Sequence, residues 1–133
     1  MNVLQPPGWP RPRGYSNGIC ARGRQIFVAG QIGWDATLQF PEGGMAAQVA
    51  QALRNIVAVL AEADARPEHV VRLTWYLTSR EEYLAELPAI GEAYRAIMGK
   101  HFPVMSVVEV AALIESAARV EIEATAVIPD ATG

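Results

Sequence analysis

The sequence has 133 residues, of which 51% are hydrophobic and 19% charged, so the chain can bury a core and differs from disordered proteins. Its formal net charge of −3 argues against a nucleic-acid-binding protein, which usually presents a basic face. Cys20 is the single cysteine, which excludes an internal disulfide and fits a reducing, cytoplasmic compartment. No apolar run approaches the roughly 18 residues of a membrane span. The length predicts one domain over residues 1–133.

The chain begins with a segment rich in proline and glycine, residues 1–14. Because proline lacks a backbone donor and breaks helices and central strands, this segment is predicted to be an extended arm. Two short strands are predicted next, over residues 15–21 and 25–32. Gly23 lies between them and can supply the positive φ of a tight hairpin turn. Gly30, inside the second strand, predicts a bulge or a close approach of the backbone to another group.

Two helices and a strand are predicted in the middle of the chain. An apolar stripe at spacings of three and four predicts a helix over residues 44–65. A strand is predicted over residues 69–78, and because both of its faces are largely apolar it is either a central strand or one whose second face another subunit buries. Ser79 and Glu82 have the spacing of a capping box, which begins a second helix. Pro88 should restart or kink that helix, and Gly99 should end it.

Two further strands are predicted, over residues 104–111 and 119–128. The resulting order, β-β-α-β-α-β-β, predicts an α+β fold with two helices on one face of a sheet. The other face is predicted to carry an apolar group that water alone would not cover, so the chain is expected to form a closed oligomer. That group consists of Met105, Val107, Val127 and either Phe27 or Tyr76.

The chemistry-bearing residues are few. The histidines and the cysteine are isolated from one another, so no metal site is predicted. Glu121 and Glu123 share one face of an otherwise apolar strand, and the simplest interpretation is a solvated face. If a neighbouring subunit covers that face, the glutamate is partly desolvated. Its pKa is then raised, and it can accept or deliver a proton. Hydrolysis of a carbon–nitrogen double bond needs such a group.

Five separated motifs resemble one known family, the Rid family, also called the YjgF family of reactive-intermediate deaminases. They occur in the family's order: Tyr15-Ser16, residues 27–33, residues 76–78, residues 102–113 and residues 120–124. The resemblance implies a chorismate-mutase-like α+β fold and a homotrimer that binds a small-molecule ligand in a cleft between subunits. It also implies hydrolysis of small 2-imino acids or their enamines to 2-keto acids and ammonia, without a cofactor, nucleic acid or membrane.

The resemblance also implies the site residues. Glu121 matches the family's catalytic glutamate, and the substrate-binding positions are Tyr15, Ala29, Gly30, Met105 and Val107. In the deaminases an arginine in the signature motif binds the substrate carboxylate through two parallel hydrogen bonds. Met105 occupies that position here. Losing such a contact costs about 1.5–3 kcal/mol, so a substrate other than the simple 2-imino acids is expected.

Three functions follow from these residues. The first is a divergent hydrolase or deaminase in which Glu121 still acts, on a substrate that lacks a carboxylate or is a larger, less polar amine or imine. Alternatively, Arg13, Arg22 or Arg119 is the replacement cation in this enzyme. The second is a non-catalytic trimer that binds a small molecule in an apolar cleft. The third is a ribonuclease, a label long attached to the family. The net negative charge of the chain argues against this function.

Overall fold

The computed structural model describes residues 1–131, which form an α+β fold of strands and helices. A short 3₁₀ turn, Pro67–His69, precedes the fourth strand. The strands are β1 Asn2–Leu4, β2 Gly18–Cys20, β3 Gly23–Ile32, β4 Val70–Leu77, β5 Val104–Glu109 and β6 Val120–Pro129, and the helices are α1 Met45–Ala61, α2 Arg80–Ala85 and α3 Leu87–Met98.

Four strands form the main sheet, in the order β3-β6-β4-β5. β4 and β5 run parallel, and the other pairs are antiparallel. β4 lies between β6 and β5, which confirms the prediction of a central strand. β3 and β5 are the edge strands, and Ser16 forms an isolated parallel bridge with Val104 of β5.

The core lies between α1, α3 and one face of the sheet. The apolar stripe of α1 is fully buried, as its helical spacing predicts. From the sheet, β4 contributes Leu73 and Trp75, and β6 contributes alternate residues whose side chains point toward the helices. The stripe of α1 consists of Met45, Val49, Ala52, Leu53, Ile56 and Leu60.

The predicted second helix is in fact two helices that meet at Glu86. Ser79 caps α2 by accepting a hydrogen bond from the Glu82 N–H at 3.0 Å, and Pro88 lies in the first turn of α3. The Glu86 carboxylate accepts hydrogen bonds from the N–H groups of Met45 and Ala46, at 3.2 and 3.0 Å. It therefore caps α1, which has no side-chain cap of its own.

The predicted hairpin around Gly23 is wrong. β2 pairs with β1, in the predicted arm, as a separate two-stranded sheet, and β3 pairs with β6 instead. Gly23 has the predicted positive φ, 149°, but it lies inside the β3–β6 ladder opposite Pro129. A Cβ at that position would collide with the carbonyl of Ile128, so the close strand pairing requires glycine.

The predicted placement of Met105 and Val107 on the face away from the helices is also wrong. β5 pairs in register with β4, so that Met105 lies beside Leu73 and Val107 beside Trp75, on the helix side. The opposite side of the sheet, called here the open face, is still partly apolar. Phe27 is 72% exposed and Val108 is 45% exposed. The open face comprises Phe27, Tyr76, Val108, Glu121 and Glu123.

Within residues 1–131, none of the helices has the length and hydropathy that a membrane crossing requires.

Candidate active site

A cavity of about 630 Å³ opens between α3, the end of α2 and the edge strand β5. It is called the aromatic cavity, because aromatic rings supply much of its wall. Leu87, Ile90 and Val107 complete the apolar lining. The residues that define it are Tyr15, Trp75, Tyr83, Tyr94, Phe102 and Met105.

Hydrogen bonds between the segment before β2 and the start of β5 determine which residues stand at the mouth of the aromatic cavity. Ser16 is buried, its N–H donates to the Pro103 carbonyl at 3.1 Å, and its hydroxyl donates to the Phe102 carbonyl at 2.5 Å. These two bonds fix the segment before β2 against the start of β5. Tyr15 is thereby held beside Met105, and both line the cavity.

Three aromatic residues form the inner wall. Trp75 is 3% exposed and stacks edge-on against Tyr83, with ring centroids 6.5 Å apart. Its Nε1–H has no hydrogen-bond partner among the described residues. The Tyr94 hydroxyl donates to the His101 carbonyl at 2.7 Å. Burial raises the pKa of both Tyr83 and Tyr94 above the ordinary tyrosine value.

Two arginines, Arg13 and Arg95, are the charged residues of the lining. Arg95 follows Tyr94 on α3, and its guanidinium curls back over Gly91, where a Cβ would lie 3.2 Å from Nη1. In residues 1–131 neither arginine has a carboxylate within 4 Å. Both guanidinium groups are therefore available to an anionic ligand.

The open face carries a different group of residues, Tyr76, Glu121 and Glu123, called here the acidic cluster. Tyr76 lies beside Glu121 in the β4–β6 ladder, and its hydroxyl donates to Glu123 Oε1 at 2.7 Å. This hydrogen bond is the main cause that raises the pKa of Tyr76, with smaller contributions from burial and from the two negative charges. The acidic cluster borders a shallow depression under the 110–114 segment.

Glu121 packs directly on the backbone of Gly30. The β3–β6 register shifts between Val28 and Gln31, which places Ala29 and Gly30 in a bulge. The bulge and close approach predicted from Gly30 are thus confirmed. A Cβ on Gly30 would lie 2.7 Å from Glu121 Cδ and 2.8 Å from its Cγ. Only glycine leaves the carboxylate in its present position.

The structure divides the predicted site residues into two groups. Tyr15, Met105 and Val107 line the aromatic cavity on the helix side. Gly30 and Glu121 meet on the other side, with Ala29 in the same bulge. Because Met105 shares a face with Leu73 whereas Glu121 shares one with Tyr76, the sheet separates the two groups within one chain.

Of the three replacement cations considered, Arg13 lines the aromatic cavity. Arg119 forms an ion pair with Glu82, and Arg22 lies in the connection between β2 and β3. Sequence reasoning missed Arg95, Trp75, Tyr83 and Tyr94. The spacing of Gly91, Tyr94 and Arg95 was the one available signal, because residues three and four apart on a helix lie on one side.

Comparison with known proteins supports the resemblance. The family model described as Endoribonuclease L-PSP matches residues 10–128. A RutC family protein from Synechocystis is 36% identical, with 97% of this chain and 98% of the relative covered. The human 2-iminobutanoate/2-iminopropanoate deaminase is 33% identical, with 96% of this chain and 88% of the human protein covered.

The chain belongs to the Rid family. Solved structures agree: a Rid protein of unknown function from Yersinia pestis has a TM-score of 0.83 and 34% identity, with 96% of this chain and 98% of that chain covered. The YjgF protein of E. coli has a TM-score of 0.67 and 30% identity, with 96% and 98% covered. The predicted YjgF-like α+β fold is confirmed. The number of helices is corrected from two to three.

Proposed function

We propose that this Rid protein is a hydrolytic deaminase of reactive imines or enamines, with a substrate altered from the simple 2-imino acids. The observation that carries the proposal is the Glu121 carboxylate held over the Gly30 bulge, at the positions that match the family's site. The name of the human relative, an iminobutanoate and iminopropanoate deaminase, supports this reaction class. Met105 in place of the signature arginine supports the altered substrate.

We further propose that the working unit is a homotrimer with its site between subunits. In one chain the sheet separates Met105 from Glu121, so one substrate molecule cannot contact both. A neighbouring copy that presents its Glu121 to the aromatic cavity of the first would complete the site. The exposed Phe27 and Val108 on the open face favour burial of that face in an oligomer.

The chemistry requires one base and one water molecule. Glu121 orients the water and takes its proton as the water oxygen bonds to the imine carbon. The imine nitrogen then takes up this proton from Glu121, which gives the carbinolamine. As the carbon–nitrogen bond breaks, Glu121 accepts the hydroxyl proton and passes it to the nitrogen, which leaves as ammonia. The hydroxyl oxygen then becomes the carbonyl oxygen of the product. Glu123 is engaged by the Tyr76 hydroxyl, so Glu121 is the member of the acidic cluster that we assign to the reaction.

A non-catalytic binding protein is the second candidate, favoured by the apolar side chain of Met105 at the arginine position. A ribonuclease is less compatible with the residues, although the matching family model carries that description. The net charge of −3 and the acidic cluster repel phosphates.

Imine hydrolysis tests the proposal. Imines are generated in situ from several amino acids by an oxidase, and their loss is followed with wild type, Glu121→Gln and the matched control Glu123→Gln. General-base removal is expected to lower the rate by about 10²–10⁴-fold in Glu121→Gln, with an effect of a few-fold in the control. Equal rates in wild type and Glu121→Gln would contradict the proposal and favour the binding protein.

Met105→Arg tests the altered substrate in the same assay. The new guanidinium should bind the carboxylate of small substrates, so hydrolysis of 2-iminopropanoate and 2-iminobutanoate is expected to rise by about ten-fold or more. Unchanged or lower rates with these two imines would show that Met105 does not determine the substrate.

A further inference from the structure

We infer that the aromatic cavity binds a 2-imino acid with an aromatic or other bulky apolar side chain, whose carboxylate is bound by Arg95 and Arg13. The inference rests on the proposed deaminase function and names its substrate class. It assigns to two arginines outside the signature motif the role that Met105 cannot perform. Three observations support it: the size of the cavity, its lining and its charge.

The size of the cavity exceeds the need of a small substrate. Its volume of about 630 Å³ lies within the range of roughly 300–1,000 Å³ that is typical of pockets for larger organic ligands. An imino acid of three or four carbons would leave most of the apolar wall in contact with water. A benzyl or isobutyl side chain would instead bury that wall, at roughly 25 cal/mol for each Å² removed from water.

The lining matches an aromatic or aliphatic group. Trp75 and Tyr83 already form an edge-to-face pair, and Tyr15 and Phe102 stand at the mouth. A further ring can add to such a cluster in offset or edge-on geometry. Met105 fits the same purpose, because its flexible thioether adapts to apolar ligands and contacts aromatic rings favourably. Arginine at this position would place a charge in the same wall.

The charge of the cavity selects an anion. Arg13 and Arg95 line it, and no Asp or Glu does. The Arg95 guanidinium lies along α3 over Gly91, another lining residue, so the absence of a side chain at Gly91 leaves it room on the cavity side of the helix. Planar guanidinium groups bind carboxylates through paired hydrogen bonds. An aromatic wall beside two unpaired cations therefore fits an aromatic carboxylic acid.

Binding of product analogues tests the inference without requiring turnover. Isothermal titration calorimetry compares phenylpyruvate with pyruvate on the full-length wild type, Arg95→Gln, Arg13→Gln and the matched control Arg54→Gln, an exposed arginine of α1. Phenylpyruvate is expected to bind at least about ten-fold more tightly than pyruvate. Arg95→Gln and Arg13→Gln should each lower the affinity for phenylpyruvate by about ten-fold or more, and Arg54→Gln should leave this affinity unchanged.

Phenylacetone, which has the ring and the ketone but no carboxylate, serves as the probe of folding. Its affinity should be the same in all four proteins, because it does not engage the arginines. Equal affinity for pyruvate and phenylpyruvate would overturn the inference. So would unchanged phenylpyruvate affinity in both Arg95→Gln and Arg13→Gln.

The two proposals fail separately. If the expected binding pattern is found but wild type hydrolyses no imine, the deaminase proposal fails and the assignment of the ligand class stands. If 2-iminopropanoate is hydrolysed in a Glu121-dependent way but phenylpyruvate shows no preference, the ligand class is wrong and the deaminase proposal stands.

Discussion

The two sides of the main sheet differ in almost every property. The aromatic cavity is largely apolar, has a volume of about 630 Å³ and is lined by arginines as its charged residues. The acidic cluster is shallow, polar and negatively charged, and one of its carboxylates is already bound by a tyrosine. The first has the features of a binding site for an organic anion, and the second those of a proton acceptor. One strand pair, β4–β6, separates them.

The separation has a physical advantage. Arginine and glutamate side chains on the same face would pair with each other and lose their ability to bind a carboxylate or to accept a proton. Arg95 lies on α3, on the helix side of the sheet, whereas Glu121 lies on the open face, so their side chains cannot meet within one chain. If a second copy brings them to one cleft, the substrate lies between them. The comparison therefore favours a site that exists only in the oligomer.

After removal of the Glu121 carboxylate itself, the largest expected effect comes from a substitution that changes the acidic side of the sheet alone. Gly30→Ala adds a Cβ within 2.7 Å of Glu121 Cδ, so the carboxylate must move. Because a displacement of about 1 Å in a catalytic group can cost 10²-fold in rate, imine hydrolysis should fall by about that factor. Phenylpyruvate affinity should stay unchanged, since the aromatic cavity is not touched. Rates come from the imine assay and affinities from calorimetry.

Gln25→Ala is the control for Gly30→Ala, because Gln25 is an exposed residue of the same strand that lies outside the bulge. It should change the rate by no more than a few-fold. A normal rate in Gly30→Ala would show that the position of Glu121 over Gly30 has no part in the reaction.

Much of this comparison could be predicted from alternation and motifs. Glu121 and Glu123 fall on one face of β6 because strand residues alternate, and Gly30 was identified by its position inside a strand. The face of Met105 could not be predicted. β5 is apolar on both sides, with Val104 and Val108 on one and Met105 and Val107 on the other, so only its pairing with β4 decides which side packs on the helices.

The aromatic cavity was beyond sequence reasoning for another reason. Trp75 and Tyr94 have the spacing of ordinary core residues of a strand and a helix, and no motif distinguishes Arg95. Their proximity depends on where α3, which packs on α1, lies relative to β4, and α1 and α3 are far apart in the chain. The wrong hairpin has a similar cause, because the pairing of β2 with the arm competes with a local turn and local signals do not decide between them.

The next prediction, with a smaller expected change in free energy, concerns a contact that supports the wall of the aromatic cavity. Glu86 joins the α2–α3 corner to α1 by capping two N–H groups, and Tyr83 and Leu87 of that corner line the cavity. Glu86→Ala should lower the free energy of unfolding by about 1–2 kcal/mol, measured by urea denaturation. Phenylpyruvate should bind more weakly, while the Gly30–Glu121 contact is unaffected.

Glu92→Ala is the control for Glu86→Ala, since Glu92 is an exposed glutamate of α3. Glu86→Gln keeps an acceptor oxygen and should recover about half of the lost stability. If Glu86→Ala were as stable as Glu92→Ala, the cap would contribute nothing to the fold.

The smallest effect concerns two tyrosines whose pKa values are raised for different reasons. Burial raises the pKa of Tyr94, whereas Tyr76 is affected mainly by its hydrogen bond to Glu123. In both cases the folded state holds the proton more tightly than the unfolded state. The resulting stability is fully present below the ordinary tyrosine pKa of about 10 and is lost as the pH rises through the folded value. The free energy of unfolding should therefore decrease at alkaline pH, with one contribution from Tyr76 on the open face and one from Tyr94 on the helix side.

Glu123→Gln distinguishes the two causes. It removes a negative charge and the carboxylate acceptor beside Tyr76, so the pKa of Tyr76 should fall toward its ordinary value, while Tyr94 keeps its own. Tyr94→Phe should instead remove the part of the alkaline loss that comes from the aromatic cavity. Phenolate absorbance followed against pH in wild type and the two variants measures each shift. A Tyr76 titration that is unchanged by Glu123→Gln would mean that the carboxylate does not control it, and Glu123 would then be free to share the proton chemistry assigned to Glu121.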